Sequence, residues 1–209
     1  MKRKSFYIGV GLLALFVLWT VALHFVDVRA IGPGGSSVGF ASLNKMIHKI
    51  TGGHMSLYTI TDWLGLVPLG VILVFGLLGL VQWMQRKHLF QVDPSLLLLG
   101  GFYLVVMATY FFFEVFVVNY RPILINGVLE ASYPSSTTML VMCVMPTAIM
   151  QLRTRIKNTG TKRRVTLFIS VFTAFMMIGR LISGVHWFTD IIGGILLSSG
   201  LVTLYGSLQ

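Results

Sequence analysis

Apolar residues run in long unbroken blocks along this chain, and polar residues are confined to the short stretches between them. Six blocks stand out, at 6–26, 64–84, 96–118, 138–152, 165–182 and 188–205. Most approach the roughly 20 residues that a helix needs to cross the hydrocarbon core of a bilayer. The fourth is short for a span, which predicts an earlier start or a tilt. The pattern predicts an all-α polytopic membrane protein, a six-transmembrane-helix bundle, with residues 1–209 forming one membrane domain. Between the first two blocks lies a longer polar segment, 27–63. It opens on Ile31-Gly32-Pro33-Gly34-Gly35-Ser36-Ser37, a turn-forming run without the Lys-Ser/Thr ending of a nucleotide-binding loop. Phe40, Leu43, Met46, Ile47 and Ile50 then recur at helical spacing, with Lys45 and Lys49 at the margin of the stripe. That pattern predicts a short amphipathic helix in the outer membrane interface.

Composition agrees with this picture. Of the 209 residues, 56% are hydrophobic and 11% charged, whereas soluble domains carry about 25% charged residues. The formal net charge of +10 does not mark a nucleic-acid binder, because the basic residues sit in short loops between apolar runs. Lys2, Arg3 and Lys4 precede the first block, Arg86 and Lys87 follow the second, and Arg153, Arg155, Lys157, Lys162, Arg163 and Arg164 separate the fourth from the fifth. With six crossings these eleven of sixteen Lys and Arg residues share one side. The positive-inside rule makes that side the cytoplasm and places both termini there. The basic start followed by an apolar stretch reads as an uncleaved first span: the stretch is too long for a typical signal peptide and lacks a clear cleavage site. The single cysteine, Cys143, lies inside an apolar block and excludes a disulfide framework. The absence of two similar halves argues against a secondary transporter.

Ionisable residues near a membrane need a reason to be there. Glu114, Glu130 and Asp190, half of the six acids, fall at the outer ends of spans three to six, together with Arg121, Arg180 and His186. His186 and Asp190 are four residues apart, a spacing that puts them on one face of a helix. There the carboxylate can hold one imidazole nitrogen and leave the other free as base or nucleophile. Pro134-Ser135-Ser136-Thr137 opens the fourth span, where hydroxyls and free amides cap the helix and favour phosphate.

In this order the segments resemble the type 2 phosphatidic acid phosphatase superfamily, the integral-membrane lipid phosphate phosphatases. That family carries Lys-x6-Arg-Pro, then Pro-Ser-Gly-His or Pro-Ser-Ser-His, then Ser-Arg-x5-His-x3-Asp. Here the motifs, spread over 114–190, read Glu114-x6-Arg121-Pro122, Pro134-Ser135-Ser136-Thr137 and Gly179-Arg180-x5-His186-x3-Asp190. The resemblance implies that His186 attacks phosphorus and forms a phosphohistidine, oriented by Asp190. Arg121, Arg180, Ser135 and Ser136 would hold the phosphoryl oxygens, with no metal and no other cofactor.

Three positions depart from the family pattern. Gly179 stands for a serine, Glu114 for a phosphate-binding lysine, and Thr137 for the histidine that protonates the leaving group. Threonine cannot serve as that acid near neutral pH, a loss of about 10²–10⁴ in rate. The loss matters less for a diphosphate, whose leaving group is itself a phosphate ester. The sequence therefore predicts a lipid phosphate or diphosphate phosphatase at the outer leaflet of the cell (plasma) membrane, preferring prenyl diphosphates such as undecaprenyl diphosphate. The alternative is an impaired relative that binds lipid phosphates as a regulator or accessory subunit. Glu114 could pair with Arg121 further along the same helix and orient it, bind a cationic headgroup, or mark a site that no longer hydrolyses. Four groups from the first outer segment, His48, His54, Lys45 and Lys49, are candidates to replace the missing ones.

Overall fold

The computed structural model describes residues 2–209. Eight α-helices follow in order: α1 Lys2–Ala22, α2 Ala41–Thr51, α3 Met55–Leu64, α4 Leu66–Arg86, α5 Pro94–Val115, α6 Ser136–Arg155, α7 Thr159–Ile182 and α8 Phe188–Leu208. Two short antiparallel strands, β1 Arg29–Ala30 and β2 Ser37–Val38, pinch the glycine-rich turn after α1. Three helices, α5, α6 and α7, begin where a polar side chain satisfies a free amide. Asp93 accepts from Ser95 N at 2.9 Å ahead of Pro94, and Asn158 accepts from Thr161 N at 2.9 Å.

Five helical segments are long and apolar enough to cross a membrane: α1, α3 joined to α4, α5, α7 and α8. The sixth long helix, α6, is less apolar because it packs against α4, α5, α7 and α8 and needs little lipid-facing surface. Val141, Cys143, Val144, Met145, Thr147 and Gln151 along it are all buried. The fourth apolar block thus extends at both ends into a 20-residue helix. By contrast α4, α5 and α7 leave large apolar side chains such as Leu73, Phe111 and Phe168 exposed, as a hydrocarbon solvent requires.

Small residues set the closest approaches, as is usual where helices cannot rely on a hydrophobic drive to associate. A Cβ on Gly9 of α1 would come within 2.8 Å of the Leu204 side chain on α8, and one on Gly200 would meet Leu13 in the same way. Gly193 gives its space to the Tyr133 ring, and Gly194 gives its space to Thr138 and the Ser135 carbonyl. Tyr133, buried, packs between Phe16 and Phe113 and shares a 2.7 Å hydrogen bond with Thr20. At the opposite end of the bundle Arg155 pairs with Asp93 at 2.9 Å, and Gln151 donates to Tyr205 at 2.8 Å, tying α5, α6 and α8. The basic residues of the α1 start, the α4 end and the α6–α7 link all lie at that end.

The amphipathic helix foreseen after the first span is α2. It rests on the bundle through its small and polar face, with Ala41 and Asn44 buried, whereas Met46 and Ile50 of the apolar stripe stay exposed. Asn44 Nδ2 donates to Thr189 Oγ1 at 3.0 Å and Asn44 Oδ1 accepts from Thr189 N at 3.2 Å, fixing α2 to the start of α8.

Candidate active site

Between α5 and α6 the chain makes a narrow ribbon. At its tip Asn126 and Gly127 both take positive φ, 50° and 78°, the left-handed pair that a two-residue hairpin turn demands and that Asn-Gly supplies best. Ile125 bridges to Val128, and Tyr120 to Ala131. Arg121 N donates to Glu130 O at 3.1 Å and Ser132 N to Asn119 O at 2.9 Å. This pairing brings Asn119, Arg121, Ser132 and Ser135 to the end of the bundle where α6 and α8 start.

The link from α7 to α8 completes the wall. His54 N donates to Ser183 O at 3.0 Å. Gly184, at φ 70°, lies where a Cβ would collide with the Gly52 carbonyl oxygen. Trp187 Nε1 donates to Tyr120 O at 2.8 Å. His186 therefore sits in the link, and α8 begins only at Phe188. The sequence expectation of one shared helical face is corrected here. Asp190 is in the first turn of α8 and accepts from Trp187 N at 2.9 Å, capping the helix, while His186 approaches it from the link.

His186, Asp190, Arg121, Arg180 and Ser135 are all buried and converge. Asp190 Oδ2 accepts from Ser132 Oγ at 2.5 Å and Oδ1 from Asn119 Nδ2 at 3.2 Å. His186 Nδ1 lies 3.0 Å from Ser132 Oγ and 3.9 Å from Asp190 Oδ2. Its other nitrogen, Nε2, is buried without a partner. Burial, and then the positive charges of Arg121 and Arg180, hold the His186 pKa well below the ordinary imidazole value of 6.5.

The two arginines are held from different sides. Arg121 Nε is 3.0 Å from Glu130 Oε2, yet outside hydrogen-bond geometry, so its Nε and Nη1 protons remain without acceptors. One of the roles open to Glu114 is pairing with Arg121. The structure supplies Glu130 instead, because the ribbon folds Arg121 back beside Glu130 while Glu114 stays on α5 with its side chain exposed. Arg180, 2% exposed, lies 3.6 Å from Asp62 Oδ1 and over the Tyr58 ring at 5.1 Å, both on α3. Its Nε also lacks an acceptor.

Ser135 caps α6 through Thr138 N at 3.5 Å, and its own N donates to Asp190 O at 3.1 Å. Ser136 and Thr137, half-buried, line a cleft of about 510 Å³ with Asp62, Tyr103, Tyr110 and Leu140. Glu114 lines a small adjoining hollow with Ser132, Tyr133 and Ser136. Of the four groups considered as replacements, His48 comes against the link, its ring 5.6 Å from Trp187. Burial lowers its pKa below 6.5. Lys45 and Lys49 are exposed.

Sequence reasoning missed Ser132, Asn119 and Asp62 as neighbours of the site. Asn126-Gly127 was a readable hairpin signal that would have placed Asn119 near Ser132. Nothing in the sequence pointed to Asp62.

The family model of the PAP2 superfamily matches residues 63–208. Among solved structures, the fold is similar to a transmembrane PAP2-type phosphatidylglycerolphosphate phosphatase from Bacillus subtilis, with a TM-score of 0.57 at 21% identity, covering 97% of this chain and 94% of that one. No curated protein matches.

Proposed function

Since the chain belongs to the PAP2 superfamily, we propose that it is a membrane-embedded lipid phosphate phosphatase whose nucleophile is His186. One observation carries this reading: a buried imidazole nitrogen without a partner shares its site with guanidinium protons that also have none. Buried donors left unpaired cost about 1–3 kcal/mol each. A phosphoryl group between them satisfies Arg121 and Arg180 and presents phosphorus to Nε2.

The depressed pKa of His186 keeps Nε2 unprotonated and nucleophilic at neutral pH. In the reaction Nε2 attacks phosphorus, and the bond from phosphorus to the bridging oxygen breaks. The two arginines spread the charge of the equatorial oxygens, which is where phosphoryl transfer gains most. Water then cleaves the phosphohistidine and orthophosphate leaves. Ser135 and Ser136, at the α6 start, offer further donors to the phosphoryl oxygens.

The substrate is a lipid diphosphate in preference to a monophosphate. At Thr137 no acid is present to protonate an alkoxide, whereas a diphosphate releases a lipid phosphate that needs little protonation. Prenyl diphosphates fit this chemistry, and the apolar cleft of about 510 Å³ beside Thr137 suits their chains. The site faces the outer leaflet of the cell membrane with both termini in the cytoplasm, because the basic residues gather at the other end.

Purified protein offered prenyl diphosphate, phosphatidic acid and phosphatidylglycerol phosphate should release orthophosphate fastest from the diphosphate. The variant H186A should lose at least about 10³-fold in rate. Equal turnover on phosphatidic acid removes the diphosphate preference. No turnover on any of them, with tight binding retained, favours a second reading: a lipid-phosphate-binding regulator or accessory subunit, to which the replacements at Glu114 and Thr137 point.

A further inference from the structure

We infer that Ser132 is the positioning residue through which Asp190 acts on His186. The inference rests on the reading of His186 as nucleophile and adds a residue outside the three motifs.

Its basis is a set of three distances. His186 Nδ1 and Asp190 Oδ2 are 3.9 Å apart, too far for a hydrogen bond. Ser132 Oγ lies between them, 3.0 Å from the imidazole and 2.5 Å from the carboxylate. A hydroxyl has one proton, and an ionised carboxylate can only accept. Asp190 already accepts from Asn119 Nδ2 and Trp187 N, so its oxygens face donors alone, and the Ser132 proton points to Oδ2. The oxygen of Ser132 then has only lone pairs to offer Nδ1, which must carry the imidazole proton. One tautomer results: protonated at Nδ1, bare at Nε2. Nε2 is the nitrogen without a partner.

Attack on phosphorus makes the ring cationic, with a proton on Nδ1 and phosphorus on Nε2. The Nδ1–H donates to Ser132, Ser132 donates to Asp190, and the negative carboxylate stabilises the new charge across the hydroxyl. No proton has to move for this to work. The hydroxyl is held by the backbone as well: Ser132 is 2% exposed, and its N donates to Asn119 O at 2.9 Å beside the Tyr120–Ala131 bridge. Asn119 thus grips Ser132 through its carbonyl and Asp190 through its side chain, which fixes the spacing of the relay from the ribbon side.

The test has one arm independent of turnover. In protein with 15N-labelled histidine, the His186 signal, assigned by its absence in H186A, should report a protonated Nδ1 and an unprotonated Nε2. In S132A this preference should be lost, and in S132T it should survive. The second arm is kinetic. With the preferred lipid diphosphate, S132A should lower kcat by about 10²-fold with KM changed less than about twofold, S132T should recover most of the loss, and the double variant S132A/D190N should lose little more than D190N alone. An unchanged tautomer in S132A, or losses that multiply in the double variant, overturns the inference. If the wild-type protein releases no phosphate, or H186A still does, the phosphatase reading has failed, and the tautomer arm alone decides the role of Ser132.

Discussion

The imidazole of His186 is kept neutral by its surroundings, and that has a consequence for stability as well as for chemistry. In the unfolded chain a histidine binds its proton near pH 6.5. In the folded protein burial and two arginines push this pKa well below that value. As pH falls below about 6.5 the unfolded state therefore gains a proton that the native state refuses, and stability declines with it. The thermal midpoint in detergent should drop more between pH 7 and pH 5 for the wild type than for H186N. Parallel curves would mean that the imidazole titrates normally in the fold. Thr137 offers the complementary experiment. It stands half-buried at the cleft, beside the departing oxygen in the proposed geometry, and T137H restores a group able to protonate an alkoxide. Turnover of a lipid monophosphate should rise by about 10-fold or more relative to the diphosphate. An unchanged ratio would place the leaving group elsewhere.

At the scale of elements, two connections carry His186, Arg121, Ser132 and Ser135 over the helix ends that hold Arg180 and Asp190. The ribbon of residues 116–135 and the link of residues 183–187 each depend on a glycine at positive φ, but in different surroundings. A Cβ on Gly127 would meet nothing within 4 Å, whereas one on Gly184 would run into the backbone of Gly52. G127A should therefore cost about 1 kcal/mol. G184A should cost at least about 2 kcal/mol and reduce phosphate release, because it pushes apart the α2–α3 connection and the link that holds His186. Thermal unfolding of both variants checks the contrast. Similar losses for the two would show that backbone strain alone decides, with no part for the contact. Helix α2 belongs to the same argument. Its Asn44 exchanges two hydrogen bonds with Thr189, one residue from Asp190, so the first connecting segment is built into the base of the site.

For the whole molecule the charge distribution and the position of the site lie at opposite ends of one bundle. The eleven basic residues that bias the topology cluster at the ends of α1, α4, α6 and α7 remote from His186. Cys143 is fully buried, so the wild-type protein provides a silent background for labelling. In intact cells a membrane-impermeant maleimide should modify N126C, and it should modify K162C only after the membrane is opened. The reverse pattern would put the site on the cytoplasmic face and withdraw the outer-leaflet reading. The same long-range order explains the composition of α6. Enclosed by four helices, it can carry Thr138, Thr147 and Gln151 inside the bundle, where Thr147 bonds to Tyr103 and Gln151 to Tyr205, which is why the fourth block looked too short for a span.

Hydrophobic blocks, basic clusters and the three spaced motifs were legible in the chain alone, because each depends on residues near one another in sequence: a span needs consecutive apolar side chains, and a motif needs fixed intervals. They determined an all-α membrane bundle and the family to which it belongs. The tertiary structure decided the pairings. Glu130 and not Glu114 stands by Arg121, Asp62 from a different helix stands by Arg180, and Ser132 stands between His186 and Asp190 although 54 and 58 residues separate it from them. Such choices follow from how the ribbon and the link pack over the helix ends, where a shift of an ångström makes or breaks a hydrogen bond and no periodicity along the chain records it.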